Sequence, residues 1–405
     1  MSRLQTSTSE DDSTFQYSYY LHQDSSFPHN KSSLPPIPAL TSQPHHPDYH
    51  LPATHHCIST IKGNNSYISS LVIGGKLLYT GSSNKEIRMW NRDGLRSEVD
   101  HENLSDSLII TGKGAVKSLV VSGDKIFSAH QDHKIRIWKV DENEGRQQKL
   151  THLATLPTFG DRALKLLIPK NHVQVRRHKK STWVHHVDVV SALALSRDSL
   201  LLYSVSWDRT LKIWQTTDFK CLESVANAHD DAINALALSS NGDVYTGSTD
   251  KKIKLWRKSP ESKNHTLVNM LNKHKSGINA LALSTNENIL YSGGSDRSIM
   301  VWEKTDEDNM VAAGILRGHA KSILCLSAVS DLLCSGSADE TIRIWRGIGK
   351  CYFCLAVLEG HRGPVKCLTS ETDHRSSSDT SASYLIYSGG LDSDIKVWQI
   401  LIPLY

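Results

Sequence analysis

An all-β fold of seven repeated units, stacked into one body, is what this 405-residue sequence predicts, and three observations carry the prediction. Seven tryptophans, Trp90, Trp138, Trp214, Trp256, Trp302, Trp345 and Trp398, each close a short apolar phrase: IRMW, IRIW, LKIW, IKLW, IMVW, IRIW and IKVW. Six residues before each stands an acid or its amide: Asn84, Asp132, Asp208, Asp250, Asp296, Asp339 and Asp392. Four residues before that stands a hydroxyl: Thr80, Ser128, Ser204, Thr246, Ser292, Ser335 and Ser388. Successive tryptophans lie 48, 76, 42, 46, 43 and 53 residues apart. Such a period over seven copies marks a repeat architecture, whose units bury their faces only against one another.

Within a unit the pattern predicts strands in order. An aromatic residue or Cys334 precedes the hydroxyl, small residues follow it, and alternating apolar residues lead into tryptophan. That is two antiparallel strands joined by a tight turn. Upstream, 26 to 28 residues before tryptophan, His186, His229, His274 and His319 open a short apolar strand such as AINALAL. In the last repeat His361 stands 37 residues away, across an inserted loop. One position of this strand stays small throughout: Ser70, Ser118, Ala192, Ala235, Ala280, Cys325 and Cys367. Small side chains suit the crowded inner strand of a radial array.

Histidine, hydroxyl, aspartate and tryptophan at these spacings resemble the WD40 repeat over residues 56–400. The resemblance implies a seven-bladed β-propeller. It also implies a buried polar chain in each blade, from indole N–H to hydroxyl to histidine to aspartate. Repeats three to seven have all four members: His186, Ser204, Asp208, Trp214; His229, Thr246, Asp250, Trp256; His274, Ser292, Asp296, Trp302; His319, Ser335, Asp339, Trp345; and His361, Ser388, Asp392, Trp398. Repeat two has Gly112 in the histidine place; repeat one has Asn64 there and Asn84 for the acid. Since buried polar groups are costly unless paired, blades one and two are expected to be less rigid.

Seven residues follow Trp398, too few for a turn and a further strand. The segment CISTI at 57–61 is therefore expected to complete the last blade and close the ring, removing exposed sheet edges. Residues 55–405 are assigned to the propeller. Residues 1–54 are rich in Ser, Pro and His, carry net charge −3 and lack apolar periodicity. That composition reads as a disordered tail. Its LPPIP at 34–38 reads either as a polyproline stretch or as a solvated linker, and the hydroxyls beside Glu10, Asp11 and Asp12 are weak phosphorylation candidates.

Residues 139–186 carry net charge +6, whereas the whole chain carries +4. An insertion centred on 161–183 lies in the connection from blade two to blade three and is expected between the third and fourth strands of blade two. With the loop at 371–383 it would then gather on one face, leaving tight turns and histidine loops on the other. Lys170, Arg176, Arg177, Lys179 and Lys180 form its basic patch. The patch reads as a nuclear import signal, as a patch for acidic partners, or as a strand with alternate residues in solvent. It has no interleaved aromatic residues, so direct nucleic-acid binding is not expected. Residues 161–183 and GAVKSLV at 114–120 resemble the plant Jingubang-like WD40 group. That resemblance implies a signalling or transcription-associated developmental regulator, in pollen germination.

No catalytic constellation is expected. His–Asp–hydroxyl sets recur five times around the ring, and an active site is made once. Cys351 and Cys354 form a lone CxxC without a second pair, short of a zinc site, and no cofactor or metal is expected. Seven cysteines, an odd number, and no apolar leader point to the cytoplasm or nucleus. What remains is a scaffold for other proteins, without a small-molecule substrate or membrane insertion. A substrate receptor of a cullin-type ubiquitin ligase is the alternative. It is demoted because no repeat tryptophan is followed by Asp with a basic residue two further on.

Two columns are expected to face a partner. One precedes the turn acid and includes Gln131, Trp207 and Leu391. The other enters the inner strands and includes Lys117, Asn234, Asn279 and Lys366. A large apolar residue in an exposed turn is costly in water and typical of binding hot spots, which singles out Trp207 and Leu391. Trp207 alternatively packs on a neighbouring blade.

Overall fold

The computed structural model describes residues 40, 53–62, 66–96, 109–141, 149–166, 172–176, 179–259, 264–306, 309–348, 351–376, 378 and 380–403. The N-terminal segment, Leu40 and Ala53–Thr54 apart, lies outside the described residues, as do Asn64, Lys170 and Arg177.

Thirty strands make seven four-stranded antiparallel sheets and one hairpin. Strand β1 (Thr54–Lys62) precedes blade one, which is β2 (Ile68–Gly74), β3 (Leu77–Ser82), β4 (Glu86–Asn91) and β5 (Ile109–Thr111). Blade two is β6 (Val116–Ser122), β7 (Lys125–His130), β8 (Ile135–Asp141) and β9 (Lys149–Leu156). Helix α1 (Phe159–Leu166) and the hairpin β10 (His172–Arg176) and β11 (Lys179–Thr182) follow. Blade three is β12 (Val190–Leu195), β13 (Leu201–Ser206), β14 (Leu211–Gln215) and β15 (Cys221–Val225). Blade four is β16 (Ile233–Leu238), β17 (Val244–Ser248), β18 (Ile253–Lys258) and β19 (His265–Leu271). Blade five is β20 (Ile278–Leu283), β21 (Ile289–Gly294), β22 (Ser298–Lys304) and β23 (Met310–Arg317). Blade six is β24 (Ile323–Val329), β25 (Leu332–Ser337), β26 (Ile342–Ile348) and β27 (Cys351–Leu358). Blade seven is β28 (Val365–Thr372), β29 (Ser381–Gly390) and β30 (Asp394–Pro403), with β1 as its fourth strand.

Closure is as the sequence predicts. β1 runs antiparallel to β30 from Thr54 opposite Leu401 to Lys62 opposite Asp394. The core lies between blades. Tyr79, Ile87 and Met89 of blade one pack on Val116, Leu119 and Ile126 of blade two. Across the closure, Ile61, Leu385 and Val397 pack with Ile68 and Leu71 of blade one. The first and last repeats are thus joined by the same apolar contact that joins neighbours, and the ring has no free end.

The basic insertion departs from the expected place. It follows β9, the fourth strand of blade two, because both β8 and β9 belong to that sheet. A connection from a fourth strand to the next first strand leaves and returns on the turn face, opposite the loops that join third to fourth strands. Helix α1 then follows the rim. The Cys221 N–H donates to Asp161 at 2.8 Å, at the far end of β15. Lys212 Nζ donates to the Trp183 carbonyl at 2.5 Å where the segment returns. The elaborations therefore do not gather on one face. Arg176 lies in β10, and Lys179 and Lys180 in β11.

Candidate partner-binding face

Seven turns of one form build this face. In each, the residue after the acid or amide has positive φ: Lys85, His133, Arg209, Lys251, Arg297, Glu340 and Ser393, between 64° and 75°. Short polar acids accept hydrogen bonds from the backbone two residues on and so replace a backbone turn. Asp208 Oδ1 accepts from Thr210 N–H at 2.9 Å and Asp250 Oδ1 from Lys252 N–H at 2.9 Å. The other carboxylate oxygen reaches the histidine loop. Asp208 Oδ2 accepts from Val187 N–H, Asp296 Oδ2 from Lys275 N–H, Asp339 Oδ2 from Ala320 N–H and Asp392 Oδ2 from Arg362 N–H, all at 2.8 Å. One side chain thus clamps two loops, and the face is held before any partner arrives.

Behind each clamp runs the buried polar chain. In blade four, Trp256 Nε1–H donates to Thr246 Oγ1 at 2.9 Å. Thr246 lies 2.8 Å from His229 Nε2, and His229 Nδ1 lies 2.8 Å from Asp250. A carboxylate only accepts, so His229 Nδ1–H donates to Asp250. The same links join His186, Ser204, Asp208 and Trp214, and His274, Ser292, Asp296 and Trp302. They recur in His319, Ser335, Asp339 and Trp345, and in His361, Ser388, Asp392 and Trp398. Burial alone would raise the aspartates. The histidine contact and the turn N–H groups outweigh it, holding Asp250 at about 2 and Asp208, Asp296, Asp339 and Asp392 below the usual carboxylate value.

Blade two corrects the expectation of a broken chain. His130, two residues before Asp132, takes the absent histidine's part. Trp138 Nε1–H donates to Ser128 at 2.8 Å, Ser128 lies 2.8 Å from His130 Nε2, and His130 Nδ1–H donates to the Gly114 carbonyl at 2.8 Å. A carbonyl replaces the carboxylate, and Asp132 pairs with Arg136 instead. In blades five and seven a Cβ at the position matching His130, Gly294 or Gly390, would lie 2.7 and 3.0 Å from the histidine ring, whereas blades three, four and six hold Ser206, Ser248 and Ser337 there beside an intact histidine. In blade two the ring comes from the turn side, and Gly112 leaves it room, a Cβ there lying 3.1 Å from His130. Burial pushes His130 down to about 4. In blade one, among the described residues, Trp90 Nε1–H donates to Thr80 at 3.1 Å.

The turn column is held by backbone. The N–H groups of Gln131, Trp207 and Leu391 donate to the carbonyls of Ala115, Val189 and Pro364 at the inner-strand entries, at 2.9 to 3.0 Å. The second column falls on a β-bulge that recurs in all seven inner strands, between Val116 and Ser118, Ile233 and Ala235, and Val365 and Cys367, for example. A bulge leaves its extra residue outside the ladder and re-aims its side chain. Asn234 and Asn279 are thereby turned into stitches between blades. Their amides donate to the Ile278 and Ile323 carbonyls at 3.0 and 2.8 Å. Ser69 and Ser191 do the same to Val116 and Ile233, a role the sequence reading did not foresee.

Lys117 and Lys366 hold the same bulge positions in blades two and seven. Lys117 Nζ sits 5.9 Å from the centre of the Trp207 ring. Burial, and then the charge of Lys366, lower the Lys117 ammonium to about 8. The structure thus brings Trp207, Lys117 and Lys366 to one mouth. Trp207 and Leu391 are half-buried rather than fully exposed, and Trp207 packs on the neighbouring blade while keeping part of its ring in solvent. Gln131 and Leu391 stand in the turn column of the blades that carry Lys117 and Lys366, their N–H groups bonded to Ala115 and Pro364, two residues before each lysine.

Six segments match the model for the WD domain, G-beta repeat: 55–91, 177–215, 219–257, 265–303, 311–346 and 352–399. The chain belongs to the WD40 repeat family. Trp138 lies outside the matched segments, in the blade whose histidine has moved. Among known proteins, the chain is 26% identical over 196 residues to the APC/C activator protein CDC20 of Saccharomyces cerevisiae, covering 45% of this chain and 31% of that one. It is 26% identical over 242 residues to the ribosome biogenesis protein YTM1 of Coccidioides immitis, 59% of this chain and 46% of that one. An uncharacterized WD repeat-containing protein of Schizosaccharomyces pombe is 29% identical over 127 residues, 31% and 34% of the two chains. The chain therefore spans 31% to 46% of these relatives' own length. WD40 propellers bind other proteins, and the fold is typically that of a non-catalytic scaffold. Among the described residues no group of three or more His, Cys, Asp or Glu is placed to hold a metal, and no helix is long and apolar enough to cross a membrane.

Proposed function

We propose that this WD40 chain is a non-catalytic scaffold that grips a protein partner on its turn face, with Trp207 as the apolar anchor and Lys117 and Lys366 selecting acidic groups beside it. The observation that carries this reading is the placement of the half-buried Trp207 ring over the Lys117 ammonium, on a turn clamped by Asp208. A rigid aromatic anchor loses little freedom on binding, so more of its contact energy appears as affinity. Asn234 and Asn279 support the mouth by stitching blades and are not part of the grip.

The finer reading is a plant regulator of the Jingubang-like kind, acting in signalling or transcription, in cytoplasm or nucleus. It is supported by residues 161–183 and 114–120 alone; the named relatives come from fungi.

Affinity capture from the source cells tests the grip. Trp207→Ala is expected to lose its partner at least tenfold, as hot-spot truncations do at about 2 kcal/mol, with the chain still folded by circular dichroism. Lys117→Glu is expected to lose the same partner. An unchanged set of captured proteins in both variants overturns the reading.

A further inference from the structure

Far from the turn mouth, on the rim, one residue of the N-terminal segment lies between two blades. Leu40 N–H donates to the Ile315 carbonyl of β23 at 3.0 Å, and the Leu40 carbonyl accepts from Tyr352 N–H of β27 at 3.0 Å. A single residue thus joins the outer edges of blades five and six. Its side chain enters the apolar cluster of Tyr291, Leu316, Ala313 and Tyr352. Tyr291 and Tyr352 are themselves joined across the two blades, hydroxyl to hydroxyl at 3.0 Å.

The second observation is in the strand. Of the seven outer strands, β23 alone contains a glycine, Gly314. A Cβ at 314 would collide with the Leu40 side chain, and the three nearest heavy atoms to it all belong to Leu40. Residues opposite the third strand at this place in other blades are Ala154, Glu223, Asn269, Ala356 and Ser59. Glycine in a strand interior weakens the strand and marks a close approach. Here the approaching group is leucine.

We propose that the notch at Gly314, between the rims of blades five and six, is a docking site for a leucine presented on an extended segment, and that the chain's own segment 37–44 is its occupant. The chemistry of recognition is a backbone N–H and carbonyl on either side of one apolar side chain. The sequence IPALTSQP places Pro38 and Pro44 around Leu40. Prolines hold a segment extended and reduce the freedom lost on docking. Leu40 is thereby the side chain that an external extended segment bearing leucine would have to displace.

The test uses the full chain and a fluorescent peptide of residues 37–44. In Leu40→Asp, amide exchange in the fragment containing Tyr352 is expected to rise at least tenfold, with fragments of β24 to β26 unchanged. The peptide is expected to bind Leu40→Asp, and at least tenfold more weakly both to the wild type, whose notch is filled, and to Leu40→Asp/Gly314→Val, whose notch is blocked. The three atoms nearest a Cβ at 314 are all of Leu40, so in the Leu40→Asp background the valine is expected to leave the fold intact, which unchanged β24 to β26 fragments check. Equal Tyr352 exchange in wild type and Leu40→Asp, equal peptide binding to all three chains, or no binding to Leu40→Asp overturns the proposal.

Discussion

Ser204→Ala is expected to lower the stability of the propeller by about 2–5 kcal/mol, read as a shift of the denaturant midpoint, because each orphaned buried polar group costs about 1–3 kcal/mol. Ser204 is fully buried and holds two partners, the Trp214 indole and the His186 imidazole, both at 2.8 Å. Alanine strands both at once. In blade one, among the described residues, Thr80 receives the Trp90 indole. Thr80→Val keeps the shape and orphans one donor, so about 1–3 kcal/mol is expected there. The order of the two variants is the point: equal losses would show that the histidine adds nothing to the chain.

The second expected result is an acid loss of stability in two steps. His130 is held neutral at about 4, against an ordinary value of 6.5, and burial lowers His186 as well. As pH falls below 6.5 the unfolded chain takes up these protons while the folded chain does not. Stability is therefore full above 6.5 and declines towards pH 4, by about 3 kcal/mol for His130 alone. Below that, the depressed aspartates act. Their stabilisation is present above the ordinary carboxylate value of 3.8 and is lost as pH falls through it towards about 2 for Asp250. Denaturant midpoints at pH 7.5, 5.5 and 4.5 check the upper step. His130→Gln, which cannot titrate, is expected to be less stable at pH 7.5 and to show a shallower decline. A wild-type midpoint constant from pH 7.5 to 4.5 contradicts it.

Sequence spacing was enough for the ring, its closure by 54–62, and five polar chains, because each rests on side chains at fixed distances along one strand pair. Blade two shows where spacing stops. His130 stands at a position that is Ser or Gly in the other six repeats, and Gly112 stands where histidine is expected. That paired exchange is written in the sequence, but only the fold, which sets Gly112 beside the His130 ring, makes the two positions alternatives for one ring. The insertion lies after β9 and not before it, because the pattern does not separate β9 from the segment that follows. The inner-strand column was located correctly and its chemistry was not. A recurring bulge aims those side chains, and whether a bulged residue stitches blades, as Asn234 does, or lines the mouth, as Lys117 does, depends on its reach to the next carbonyl. Leu40 carried no signal in its own neighbourhood; the signal was Gly314, about 270 residues on, an odd glycine in a strand.

The most direct test of the turn-face grip is a photo-crosslinking amino acid placed in the full chain at Arg209, exposed on the Trp207 turn, or at Leu222, exposed on the rim of the same blade. After irradiation in the source cells, adducts to a discrete protein are expected from position 209, none from 222, and none from 209 when Trp207→Ala is added. Adducts from 222 alone, or from 209 regardless of Trp207→Ala, would contradict a partner gripped at the turn face.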